Sequence, residues 1–175
     1  MKNYIAILTF LVFIIITTNI DAQEPLRIGH VNVVKILTAL PETDSAQILI
    51  EKDTKELELM LEKMQVEYNN LINNYQENID KYSELVRSTK ESEILEMQNR
   101  IQTFNQNASQ QLQQRNDELM QPIYKRIQLA IEKVASNEGY TYILDVSKGT
   151  VVFTGENSSN IDSLVLKELG IHGDY

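Results

Sequence analysis

The chain has 175 residues, enough for about one domain, and carries 25 acidic against 16 basic side chains for a formal charge of −9. That balance excludes a nucleic-acid binder, which needs a basic footprint against phosphate. Cysteine is absent, which excludes disulfides, thiolate chemistry and a lipid-modified N-terminal cysteine.

Lys2 precedes the apolar run YIAILTFLVFIIITT, and the polar NIDAQEP follows it. A positive start, an apolar stretch and a small residue before a polar chain read as a secretory signal peptide over residues 1–22, cleaved after Ala22. The competing reading is an uncleaved anchor, because the run approaches the lower limit for a membrane span. No later stretch is apolar enough to span, so the mature chain keeps no transmembrane segment. An exported chain without disulfides must be held by packing, by association with other chains, or by both.

The first element after the signal is a β-like run from Leu26 to Val33, containing Ile28, Val31 and Val33. A short helix follows to Leu40. Pro41 then suits the first position of a new helix, with Glu42 and Asp44 favourable in its first turn.

From Glu42 to Gln121 there is neither glycine nor proline. Leu57, Leu61, Met64, Tyr68, Leu71 and Tyr75 recur three or four apart. Ile79, Tyr82 and Val86 continue the stripe after an extra step of four, a local change of register. A second stripe runs through Ile94, Met97, Ile101, Phe104, Ala108 and Leu112. Both are narrow coiled-coil seams rather than the broad apolar face of a globular helix. Between them lies VRSTKESEIL, where Ser88 and Glu91 have capping-box spacing. A reversal near residues 86–91 is therefore expected, giving an antiparallel hairpin with arms of roughly 45 residues, about 65–70 Å long. One uninterrupted helix is the alternative. Such a hairpin has too much surface for its seam and needs neighbours.

Pro122 interrupts the returning arm while Leu119, Ile123, Ile127, Ala130 and Val134 hold their apolar phase across it. Continuity of phase predicts a kink, not an end, and marks Pro122 as a hinge between a mobile arm and its root. The helix closes near Asn137 and Gly139, both suited to a left-handed cap. YTYILDV and TVVFTG read as two strands joined by a turn at SKG, with Ile143, Val151 and Phe153 facing a core and Gly149 at positive φ. Ser159 is placed to cap a final helix, NIDSLVLKELG, closed by Gly170. The organisation is α+β: body segments at 23–41 and 136–175 flank a hairpin at 42–135.

Nothing along the chain marks a reaction. His30 and His172, the two histidines, lie far apart without cysteine or spaced carboxylates, a poor metal site. His30 reads as a strand residue with one satisfied nitrogen. Asp145 and Glu156 are the best-placed strand-region acids, yet no second feature makes them a catalytic pair. No phosphate loop, nucleophile elbow or HExxH occurs. The chain is read as a non-enzyme without cofactor or metal. Met64, Tyr68, Tyr75, Tyr82, Met97 and Phe104 form the seam, and methionine among them suits adaptable binding of unlike partners.

RIGHVNVVKIL, LPE, the polar hairpin, LMQPIYKRIQLAIEKVASNEGYTYILDVS and DSLVLKELG together resemble the OmpH/Skp family of periplasmic chaperones. Pro122-Ile123 with Ile127, the run from Ala130 to Ala135, and Gly139, Tyr140, Tyr142 and Asp145 carry most of the resemblance. It implies a periplasmic homotrimer in which each chain gives strands to a β-body and extends its hairpin as a tentacle. The tentacles would enclose unfolded outer-membrane proteins without ATP, with at most transient proximity to a membrane. Two departures matter: His30 stands where an aromatic or aliphatic residue is more usual, and the arms are acidic. Residues 51–120 hold fourteen acidic and eight basic side chains, so no lipopolysaccharide site is carried over. A structural coiled-coil adaptor of the cell envelope is the second reading. It calls for a docking patch at the hairpin tip, whereas VRSTKESE is plain and polar.

Overall fold

The computed structural model describes residues 26–172. The proposed signal peptide, residues 1–22, lies outside them. Strand β1 (Ile28–Val31) leads into helix α1 (Val33–Thr38), whose N-cap Asn32 accepts the Lys35 N–H on its side-chain oxygen at 2.9 Å. Helix α2 spans Pro41–Asn78 with Pro41 at its start, as the sequence predicts. Helix α3 spans Glu84–Asn137, β2 Tyr142–Asp145, β3 Ser158–Asn160 and α4 Asp162–Glu168.

The reversal lies at residues 79–83, not at 86–91. A single 3-10 turn, Ile79–Lys81, is followed by extended Tyr82, and the Ser83 hydroxyl accepts the Val86 N–H at 3.4 Å to start α3. Ser88 and Glu91 therefore lie inside a continuous helix, and their capping box is unused. The irregular step at Ile79, where the stripe slips register, marks the turn. The arms are consequently unequal, 38 and 54 residues, or about 57 and 81 Å at the helical rise. Ion pairs bridge the arms: Arg115 Nε meets Asp53 Oδ2 at 3.1 Å, and further down Arg126 pairs with Glu42. The Glu42 carboxyl is held below its usual range by its own backbone N–H at the helix start, against the opposing effect of burial, with Arg126 adding to the lowering.

The sheet is parallel, in the order β2-β1-β3. Ile28 stands beside Tyr142 on one side and Ser158 on the other. Parallel pairing requires a crossover, and the whole hairpin supplies it between β1 and β2. Gly29 lies within this pairing, and a Cβ there would come 2.7 Å from Ile143 Cδ1 and 3.2 Å from the Tyr140 ring, so a larger residue would have to displace those side chains.

The expected TVVFTG strand is absent. Asp145 accepts the Ser147 N–H at 2.9 Å, and this local turn bends the chain out of the sheet before Val151. Gly149 adopts its positive φ of 68°, but residues 151–155 run unpaired, and the third strand is the polar Ser158–Asn160. Val151 is thus half-buried in a loop, and Phe153, placed in the trimer or body core from sequence, is 84% exposed within the single chain. Val33 begins α1 instead of ending the strand, though it packs against the core.

The core lies where the two arms meet the sheet. Val31, Ile36 and Leu40 pack with Ile161, Val165, Leu166 and Leu169 of the C-terminal segment, and with Ile123, Ile127, Ala130 and Val134 of α3. Body and hairpin root therefore share one core across residue 135. Gly139 and Gly170, at φ 67° and 83°, close α3 and α4 as left-handed caps.

Burial pushes the Asp145 carboxyl up, but hydrogen bonds from Ser147 and the Val33 N–H outweigh it, with nearby Lys148 helping, and the group titrates below its ordinary value. Its stabilising contribution is complete above the unfolded value of about 3.9 and disappears as pH falls through the lower folded value. Asp145→Asn is therefore expected to lower the urea midpoint at pH 7. The gap from the parent should close as pH drops below about 4. A gap that is constant down to that range would show that the charge is irrelevant.

Candidate functional site

The seam residues proposed from sequence are brought together along the hairpin. Met97 is buried at 3% exposure, while Met64, Tyr68, Tyr75 and Phe104 are half-buried. Tyr82 sits at the reversal. Its ring centroid lies 6.4 Å from that of Tyr75, and its hydroxyl donates to Asn74 Oδ1 at 2.9 Å. Tyr75 in turn donates to the Glu91 carboxylate across the arms, a bond that pushes the phenol pKa up. Of the proposed body residues, Val31 is fully buried, and Ile28 and Ile143 are half-buried on adjacent strands.

Burial along the hairpin changes abruptly at Pro122. Helix α3 runs through the proline without ending. Ile123, Ile127, Ala130 and Val134 beyond it are buried, but from residue 98 to residue 122 no residue is. On α2 the last buried residue is Ala46. Below the proline, Arg126 pairs with Glu42 of α2 and donates to the Leu169 carbonyl at 2.8 Å, while Lys133 Nζ meets Glu168 at 2.6 Å. The root thus meets the body through the shared core, with these polar contacts at its edge. Above it, the arms meet through a narrow, mostly half-buried seam with Met97 buried in it, the Arg115–Asp53 ion pair and the Tyr75–Glu91 hydrogen bond. Pro122 is exposed and has no N–H for the Glu118 carbonyl, which water can reach.

Large apolar side chains are exposed along both arms, among them Ile48, Leu59, Met60, Val66, Leu85 and Leu95. Ile48, Leu59 and Val66 share one line of α2, opposite the seam, by helical phase. On the body, Val152 is 96% exposed beside Phe153.

The remaining polar candidates stand apart from one another, and two of them are held by hydrogen bonds within the body. His30 Nδ1 lies 2.8 Å from Ser158 Oγ across the β1–β3 pair, which gives the strand histidine one satisfied nitrogen. Asp145 is engaged by backbone N–H groups, and Glu156 lies on the exposed loop. His172 is exposed past α4. Among the described residues, no group of three or more His, Asp and Glu side chains is placed to hold a metal, and no helix is long and apolar enough to cross a membrane. Sequence reasoning missed Asp162, 4% exposed, which accepts the Asn32 N–H at 2.8 Å. Its signal was the polar pair Asn160 and Asp162 around the fully buried Ile161, a pattern that places a helix start inside the core.

These features define an α+β protein whose small parallel sheet roots a long helical hairpin with apolar side chains left open along its arms. Residues 27–169 match the family described as outer membrane protein (OmpH-like), and the chain belongs to that family. It is similar to the chaperone protein Skp of Pectobacterium atrosepticum, with 25% identity over 89% of this chain and 93% of the relative. It is likewise similar to the Skp proteins of Photorhabdus laumondii, 26% identical over 86% of this chain and 90% of the relative, and of Photorhabdus luminescens, 27% identical over 85% and 88%.

Proposed function

We propose that the protein is a periplasmic, ATP-independent holdase that binds unfolded outer-membrane proteins between the hairpins of a homotrimer. The observation that carries the reading is the hairpin itself: arms of about 57 and 81 Å with apolar side chains open to solvent and a seam too thin to form a compact domain. Arms of this kind hold a partner through many weak contacts and leave most of its chain free, which limits the entropic cost. Similarity to proteins named Skp chaperones supports the same conclusion. Val152 and Phe153, strand-forming residues left almost wholly exposed, support a β-body completed by other copies of the chain. The mature protein mixed with a urea-diluted outer-membrane β-barrel protein should suppress light scattering near one trimer per client. The protein alone should scatter as three chains. Unsuppressed aggregation would sink the holdase; a monomer would sink the trimer.

Pro122 is the hinge of this arm in our reading, because it stands where the buried run shared with the body ends and a stretch from residue 98 to residue 122 without a buried residue begins. Pro122→Ala restores the missing backbone donor and should strengthen the helix by about 1–3 kcal/mol. Distances between spin labels at the tips should then narrow in distribution, and the range of client sizes accepted should shrink. An unchanged distribution would reduce the proline to a local irregularity.

One observation favours the adaptor reading. The tip is not VRSTKESE but residues 78–83, with Tyr82 half-buried and Leu85 close by at 78% exposure. Leu85→Ser separates the two: an adaptor loses its docking patch, whereas a holdase with contacts spread along the arms keeps its suppression of aggregation.

A further inference from the structure

The two arms do not close on each other along their whole length. A cleft of about 600 Å³ opens between them, floored by Leu57, Met60, Phe104 and Leu112. Asp53, Glu56 and Glu118 surround that floor, with Arg115 as the only cation. Nearer the tip lies a second cleft of about 200 Å³, floored by Leu71 and Met97. Its rim repeats the pattern, with Glu67, Glu93 and Glu96 against Arg100. An apolar floor rimmed by more carboxylates than cations therefore occurs twice.

Helical phase puts both clefts on one face of the hairpin. On α3, Glu93, Glu96 and Arg100 precede Gln111, Gln114 and Glu118 by five full turns, position for position. On α2, Glu56 and Met60 precede Glu67 and Leu71 by about three turns. The carboxylates are not equally free. Arg115 occupies Asp53 at 3.1 Å and reaches Glu118 at 3.6 Å, and Lys90 holds Glu93 at 2.7 Å. Glu56, Glu67 and Glu96 have no ion-pair partner among the described residues. Each cleft thus keeps an uncommitted carboxylate beside an apolar floor.

Charge complementarity decides the occupant. Fourteen acidic and eight basic side chains over residues 51–120 make a second hairpin of this chain a repelled partner, and an acidic polypeptide likewise. We propose that the two clefts are paired subsites for an extended, unfolded segment carrying a lysine or arginine beside an aromatic or long aliphatic side chain. The cation meets the free glutamate and its neighbour lies on the floor. The cleft centres are about 20 Å apart at the helical rise, so the motif recurs after about six residues of extended chain. The inference rests on the chaperone reading and adds the class of segment the arm selects.

The test uses the mature full-length protein and a soluble labelled peptide with two Lys-Phe pairs about six residues apart, read by fluorescence anisotropy at low salt. The Lys-Phe peptide should bind about tenfold more tightly than its Glu-Phe counterpart. A Lys-Ser peptide should lose binding too, since the floor is then unused. Glu56→Gln combined with Glu67→Gln and Glu96→Gln should erase the Lys-over-Glu preference. The helices should survive, because all three positions are exposed and glutamine is as good a helix former. Equal affinity for the Lys and Glu peptides, or a preference unaffected by the triple substitution, overturns the proposal. Aggregation suppression measured on the same preparations keeps the two levels apart. If suppression persists without the peptide preference, only the clefts fall. If the parent shows no suppression, the chaperone reading itself falls.

Discussion

Ile127→Ala is expected to destabilise the protein by about 3 kcal/mol, with a midpoint lower by roughly 10 °C. Ile127 is 1% exposed and lies in the cluster where the sheet, α1, α4 and both arm roots converge. Removing three carbons forfeits their transfer free energy and leaves a cavity. A junction fixed by several elements cannot relax to fill it, which places the cost in the middle of the range for such substitutions. The loss should also reach the arms, whose half-buried seam supplies too little apolar contact to stand alone. Circular dichroism at fixed protein concentration would follow the effect, since association shifts apparent stability. Leu129→Ala is the matched control: the same helix, 55% exposed, and alanine is the better helix former, so the midpoint should barely move. Equal losses from the two variants would mean that the shared core is not what holds the hairpin.

How far the sequence discloses this molecule depends on whether a local pattern or a tertiary choice decides each element. The long arms were legible because their three-and-four spacing runs for tens of residues without glycine or proline. Pro41, Gly139 and Gly170 were legible because a fixed φ or a left-handed cap is a property of one residue. The reversal was misplaced by several residues because two candidate breaks stood close together. The capping-box spacing at Ser88 outweighed the register slip at Ile79, yet Ser83 takes the cap. Val152 and Phe153 carry strong strand propensity, but propensity describes fit to a pleated neighbour, and the Asp145 turn removes that neighbour within one chain. The seam residues could be listed from periodicity. The clefts could not, because they depend on which residue of α2 stands opposite which residue of α3, and that register follows from where the chain turns.

Asp162→Ala should cost about 2–4 kcal/mol, a large loss for a residue outside the apolar core. The residue is 4% exposed, and its carboxylate joins two parts of the body. One oxygen accepts the Asn32 N–H at 2.8 Å, at the junction of β1 and α1; the other lies 3.9 Å from Lys35 Nζ and 3.4 Å from Asn160 Nδ2. Asp162 is also the first residue of α4, where a negative charge suits the helix N-terminus. That helix has seven residues, too few to persist without tertiary contacts. Alanine would strand the Asn32 N–H in a buried setting and release one end of α4 together. Asparagine keeps an acceptor oxygen and loses only the charge, so Asp162→Asn should fall between the parent and Asp162→Ala. Lys35→Ala should cost less than about 0.5 kcal/mol, because a lysine that is 47% exposed gains little from an ion pair. Urea midpoints would give the order, and hydrogen exchange at the Asn32 amide would locate it. If the alanine variant leaves that amide as protected as in the parent, the carboxylate is not the staple. If Lys35→Ala costs as much as Asp162→Ala, the ion pair and not the buried acceptor joins the two halves of the body.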